Sequence, residues 1–168
     1  IEFPEIDGEH EKEVNMLFER KIQGLLNLDR NTARIDGSPY EVCDLLSKSK
    51  KFIHVKWWDG SATLSHLFSQ GIVSADILLN QRKQREEVVN KIASQDASFA
   101  DVIEIDNYIS NDYTVVYAII YPENKLISER LPFFSKVNLK HHVTLLRNLN
   151  YNVELAHIKS KRKRIKQN

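Results

Sequence analysis

The stretch "YEVCDLLSKSKKFIHVK", residues 40–56, places Asp44, His54 and Lys56 in two β-rich runs separated by a short polar turn. Strand side chains alternate between faces. In "KFIHVK" that puts Phe52, His54 and Lys56 on one face and Ile53 and Val55 on the other. An antiparallel neighbour would set Asp44 opposite the first face, where the period-two series of Tyr40 and Val42 leads one to expect an apolar residue. A charge on a largely apolar strand is costly unless it is paired or bound to a metal. Asp44, His54 and Lys56 are therefore expected to form a polar cluster at the mouth of a hairpin.

An amphipathic helix just upstream can add a carboxylate. Glu11 precedes Val14 and Phe18 at helical spacing, Glu13 precedes Leu17 in the same way, and Asn15 lies one turn beyond Glu11. Acids on a helix and on a strand, with a lysine on the next strand, have a definite chemical use. Phosphodiester hydrolysis needs a divalent cation to polarise the phosphate and activate water. Magnesium typically takes one or two carboxylates and keeps several waters. A neighbouring ammonium group can orient the water or offset charge in the transition state. The alternative for the same residues is a structural Asp–Lys pair.

The elements that would position these groups follow from periodicity and turn residues. Val14, Leu17, Phe18, Ile22, Leu25 and Leu26 recur at helical spacing and predict a first helix over residues 9–28. "LDRNTARIDGSP" breaks that pattern, with a short strand at "ARID". The runs 40–46 and 51–58 form a hairpin across "SKSK". Ser61 is expected to cap a short helix stopped at Gly71, and Ser74 a second one running through "ADILLNQRKQREEVVNKIAS". "DYTVVYAIIYP" reads as a buried strand, "LPFFSKVNLKHHVTLLRNLN" as a helix and "YNVELAHI" as a closing strand. Strands joined through a helix imply at least one parallel crossover. The fold class is α/β: a three-layer sandwich whose central mixed sheet has an early β-hairpin and helices on its flanks.

The bulk composition sets limits. The 168 residues are 42% hydrophobic and 28% charged, which suits one globular domain over 1–158 and a basic tail over 159–168. No apolar run approaches the roughly 18–20 residues of a membrane span, and the acidic N-terminus is unlike a signal peptide. A single cysteine, Cys43, forms no internal disulfide and no Cys-based zinc site, so a reducing cytoplasm is expected. Because the chain starts at Ile1, it is read as an excised piece of a longer protein. The net charge is +1, yet the tail holds six Lys and Arg, so the body is acidic. Lys161, Arg162, Lys163 and Arg164 in that tail are candidates for phosphate contact through counterion release; a solvated terminus is the alternative.

The strings "KFIHVKWWDGSATLSHLFSQGIVSADILL" and "LPFFSKVNL" resemble a sporadically distributed family of large bacterial proteins associated with mobile-element and phage-defence genes. The resemblance spans nearly the whole chain. The order of acid-bearing helix, acid-bearing strand and lysine-bearing strand, followed by helix, strand, helix and strand, is similar to the core of the PD-(D/E)XK, or restriction-endonuclease-like, superfamily. That resemblance implies a metal-dependent nuclease domain acting on DNA in bacterial defence or restriction. It implies Mg2+ or Mn2+ bound by Asp44, with Glu11 or Glu13 as the helix acid and Lys56 as the motif lysine. His54 stands where the superfamily usually has Asp or Glu, as an auxiliary ligand or acid. Neutral imidazole there weakens the hold on magnesium and favours softer ions. The alternative is a nuclease-fold domain without catalysis that binds nucleic acid or assembles with the rest of a larger protein. Partners expected on this reading are DNA or RNA, the remainder of the parent protein and a second copy of the chain, with no membrane.

Downstream, Ser61, Thr63, Ser65 and His66 open a helix whose N-terminus is a candidate phosphate site, with ordinary capping as the alternative. Of the adjacent Trp57 and Trp58, one is expected in the core and the other free to stack on a base or to face a further domain. His141 and His142 read as surface and boundary residues, Gln70 as a helix end with a phosphate contact as the alternative, Cys43 as small and buried, and Arg82, Lys83 and Arg85 as an ion-paired surface.

Overall fold

A computed structural model describes residues 1–29, 33–35, 38–122 and 127–163. Helix α1 (Glu11–Lys21) leads into β1 (Leu25–Asn27), β2 (Ala33–Ile35), β3 (Ser38–Tyr40), β4 (Leu45–Ser47) and β5 (Lys51–Trp57). Then come α2 (Ser61–Asn80), α3 (Arg82–Gln95), β6 (Thr114–Tyr121), α4 (Ile127–Arg130), α5 (Phe133–Asn148) and β7 (Asn152–Lys159). The main sheet has the order β1-β4-β5-β6-β7. Its first three strands are antiparallel and its last three parallel, so the sheet is mixed. β2 and β3 pair in a separate two-stranded sheet.

Two apolar cores lie on opposite faces of the main sheet, because its buried strands point alternate side chains each way. Ile53, Val55, Trp57, Val116, Ala118 and Ile120 meet Val14 and Phe18 of α1. Phe52, Val115, Tyr117 and Ile119 meet Leu64, Leu67 and Phe68 of α2, Val88 and Ile92 of α3, and Leu146 of α5. This is the expected three-layer α/β sandwich with an early hairpin. Among the described residues, no helix is long and apolar enough to cross a membrane.

Several boundaries differ from the sequence expectation. The first helix ends at Lys21, not near residue 28. Gly24, at φ +80°, turns the chain, and Leu25 and Leu26 enter a strand. Leu25 joins one core and Leu26 the other, as adjacent strand residues must. α2 runs without a break through Gly71 and Ser74. A Cβ on Gly71 would stand 2.5 Å from Tyr117 Oη, so this glycine makes room for the tyrosine and stops nothing. The Tyr117 hydroxyl donates to Phe68 O at 2.9 Å. Ser74 caps no helix; its hydroxyl donates to Glu41 O at 3.0 Å. Ser61 is likewise inside the helix, and Gly60 is the N-cap. Asp44 sits just ahead of β4, outside the strand. Arg85 is buried, not on an ion-paired surface: its guanidinium donates to Leu78 O, Leu79 O and Ile105 O and covers the Tyr108 ring. It thereby satisfies carbonyls at the end of α2 that the helix itself leaves open. Arg82 does pair at the surface, with Glu86 and Asp106. Asp36 of the expected "ARID" strand lies outside the described residues.

Candidate active site

A cleft of about 450 Å³ opens where the start of α1, the segment 41–44, the end of β5 and the middle of α2 meet. Glu11, Glu13 and Asp44 among its lining carboxylates each accept from a backbone N–H. The first turn of α1 is fixed at its entry by Glu13, whose Oε2 accepts from His10 N–H at 3.0 Å. Glu11 then reaches the end of β5. Its Oε1 accepts from Trp57 N–H at 3.0 Å, and its Oε2 accepts from Lys56 Nζ at 3.0 Å. The Trp57 indole N–H donates to Glu9 O at 2.9 Å. Helix and strand are thus joined at the point where the acid and the lysine meet.

Asp44 is seated by the hairpin. Its N–H donates to Ile53 O at 3.0 Å, its O accepts from Leu28 N–H at 2.8 Å, and its Oδ2 accepts from Val55 N–H at 2.7 Å. Burial pushes its carboxyl up to about 7 against the pull of the Val55 amide, and the charges of Glu41, Asp29 and Glu11 push the same way. Glu41 is placed by the bond from Ser74 on α2. Asp29 is turned by Asn27, whose Oδ1 accepts from Asp29 N–H at 3.0 Å.

Carboxylate oxygens of Asp29, Glu41 and Asp44 lie within 4.8 Å of one another. Five carboxylates line the cleft, those of Glu11, Glu13, Asp29, Glu41 and Asp44, against the ammonium groups of Lys12 and Lys56. Asn15 also lines it and is only 1% exposed, yet neither its Nδ2 nor its Oδ1 has a hydrogen-bond partner. Buried amides are normally satisfied. Excess negative charge, clustered oxygen donors and an unpartnered buried amide together fit a hard divalent cation.

The structure brings Asp44, Lys56, Glu11 and Glu13 into this one cleft. His54 is not among the residues that line it. The ring is 3% exposed, paired in register with Tyr117, with the two ring centroids 6.2 Å apart. Burial lowers its pKa to about 4, so it is neutral, and its Nε2 has no partner. Ser61, Thr63 and Ser65 serve the fold. Ser61 Oγ accepts from Ser135 Oγ at 3.1 Å, Ser65 Oγ accepts from Asn138 Nδ2 at 2.9 Å, and Thr63 Oγ1 donates to Gly60 O at 2.8 Å. His66 is exposed on α2. In the tail, Lys161 and Lys163 are exposed, Arg162 pairs with Asp7, and Arg164 lies outside the described residues.

Sequence reasoning passed over Asp29 and Glu41 as site residues and preferred a helix end to a phosphate contact for Gln70. Asp29 and Glu41 belong to no periodic pattern, and only the fold carries them to Asp44. Gln70, in the middle of α2 and not at its end, lines the cleft. A protein family described as a family of unknown function, DUF6119, matches residues 1–159. No curated protein and no solved structure matches the chain.

Proposed function

We propose that this chain, which belongs to the DUF6119 family, is a divalent-cation-dependent phosphodiesterase domain that cuts nucleic-acid backbones. The observation that carries the reading is the meeting of Glu11, Asp44 and Lys56, from three separate segments, in one acidic cleft. The topology supports it too: an acid-bearing helix, an antiparallel hairpin and parallel crossovers in the order that the nuclease resemblance implies. DNA as substrate and a bacterial defence setting rest on the sequence resemblance. A cytoplasmic site of action rests on the single thiol, which is buried.

Asp29, Glu41 and Asp44 would hold magnesium or manganese, with the Asn15 amide as a neutral donor beside them. Such an ion supplies Lewis acidity to a phosphate oxygen and to an attacking water. Lys56, held in place by Glu11, presents its remaining N–H donors to the cleft. There it orients a water or offsets charge gathering on the phosphoryl oxygens. Glu11 positions Lys56, and the Trp57 amide positions Glu11. His54 stays neutral in the core and supports β5. Gln70 offers an amide to the substrate from the α2 side.

A second reading, a nucleic-acid-binding module without chemistry, is favoured by the burial of His54 outside the cleft lining. Labelled DNA with Mn2+ or Mg2+ separates the two. On the first reading the protein cuts, and Lys56→Ala is inactive while its unfolding free energy changes by only about 1 kcal/mol, since the pair with Glu11 is partly exposed. Full activity in Lys56→Ala rejects that assignment, and cation binding without any cutting supports the second reading.

A further inference from the structure

Helix α5 carries a long exposed face with an unusual charge pattern. Its sequence "FFSKVNLKHHVTLLRN" contains Lys136, Lys140 and Arg147 and no Asp or Glu. Its inner side is committed to the core through Leu139, Leu146 and the neighbouring Leu149. Ser135 and Asn138 fasten it to α2. On the outer side, Phe133 and Phe134 are 72% and 79% exposed, edge to face at 5.5 Å, and Val137 is also exposed.

Helical geometry sorts that outer side into lanes. Lys136, Lys140 and Arg147 fall within a strip about 40° wide and roughly 16 Å long, and Phe133 and Val137 lie alongside it. Several other cations are paired with carboxylates: Lys51 with Glu154, Lys56 with Glu11, Lys159 with Glu5, Arg162 with Asp7. On α5, Lys136, Lys140 and Arg147 have no carboxylate partner among the described residues. A row of uncompensated cations on an acidic body, with the Phe133 ring alongside it and the exposed Phe134 ring edge to face with Phe133, matches a ligand that alternates phosphates with flat aromatic groups.

We propose that this face of α5 binds single-stranded nucleic acid, with phosphates along Lys136, Lys140 and Arg147 and unpaired bases stacked on Phe133 and Phe134. The strand is single because a duplex buries its base faces in its own stack, whereas open bases pair with aromatic side chains. Leu139 and Leu146 of α5 are already committed to the core, which leaves too little apolar surface for a helix lying in a lipid interface. As the account of the substrate that reaches the cleft, the inference rests on the phosphodiesterase reading; as a binding surface it stands by itself.

Fluorescence anisotropy in EDTA tests it, with labelled oligo-dT, oligo-U, a mixed-sequence duplex and phosphatidylserine vesicles. One or both single strands are expected to bind more tightly than the duplex, with affinity falling as salt rises. Phe133→Ala with Phe134→Ala is expected to weaken single-strand binding at least about fivefold. Lys136→Glu with Lys140→Glu should weaken it further and flatten its salt dependence. Mn2+ calorimetry and thermal melting of both variants should match the wild type, which excludes unfolding as the cause. Equal affinity in the variants, preference for the duplex, binding to vesicles alone, or no binding to any oligonucleotide overturns the proposal. Single-strand binding that depends on α5 in a protein that never cuts keeps this inference and removes the phosphodiesterase reading instead.

Discussion

Asp44 holds Val55 by a 2.7 Å hydrogen bond from the Val55 amide to Oδ2, across the open end of the β4–β5 hairpin. The bond closes the ladder one step beyond its last strand pair, and it sets the aspartate at the floor of the cleft. Asp44→Ala leaves the Val55 N–H without its acceptor and is expected to cost about 1–3 kcal/mol in urea unfolding. Asp44→Asn keeps an acceptor and separates the bond from the charge. Because the folded carboxyl keeps its proton up to about pH 7 and the unfolded one only to 3.8, the stability tied to this proton is complete below pH 3.8 and is lost as pH rises through 7. In EDTA, Asp44→Asn should therefore match the wild type near pH 4 and exceed it at pH 8.

His54 works in the opposite direction. Its folded pKa of about 4 lies below the unfolded 6.5, so its contribution is complete above pH 6.5 and disappears as pH falls through 4. The full loss is on the order of 3 kcal/mol. Between pH 4 and 6.5 the two groups offset each other in the wild type. Unfolding curves of His54→Leu should show stability falling with rising pH across that window, and those of Asp44→Asn should show it rising. Parallel profiles for the two variants would mean that these groups do not govern the acid limb.

Asn15 has two buried polar atoms without partners, a cost that a leucine would remove. Asn15→Leu is expected to melt higher than the wild type in EDTA, by about 1–3 kcal/mol of stability. On adding Mn2+ the wild type should gain more than the variant. A variant that melts lower in EDTA would assign Asn15 to the fold and not to a cation.

Gly71→Ala pits two effects against each other. Alanine favours a helix interior over glycine by about 1 kcal/mol. The new methyl would meet Tyr117 Oη at 2.5 Å and Cε1 at 2.6 Å, and overpacking of this kind costs about 1–3 kcal/mol. Net destabilisation of up to about 2 kcal/mol is expected. Tyr117→Phe should not rescue it, because Cε1 remains in the way; a Gly71→Ala protein as stable as the wild type would show that the ring moves aside freely.

The layers, the hairpin and the parallel crossovers were legible in the sequence because their signals are local: β-rich runs, a polar turn and helical spacing. Asp44 and Lys56 were legible as charges in β-rich runs, although Asp44 lies just ahead of its strand and not within it. The errors arise where two structures leave the same local trace. Leu25–Leu26 extends a helical stripe as well as it fills a strand buried on both faces. Gly71 resembles a helix stop until Tyr117, far along the chain, is seen to need the space. Arg85 resembles its surface neighbour Arg82 until the carbonyls of Leu78, Leu79 and Ile105 close around it. Asp29 and Glu41 owe their place beside Asp44 to tertiary closure alone, which no local pattern encodes.

The mixed sheet also orders the steps by which the chain assembles. Joining β4 to β5 closes only the turn at Lys48–Lys50, whereas joining β5 to β6 requires α2, α3 and the segment after them to be looped across. Short closures cost less entropy and form faster than long ones. Asp44 and Lys56 therefore come into proximity early in folding, while Gln70 reaches them only once α2 has docked on the sheet.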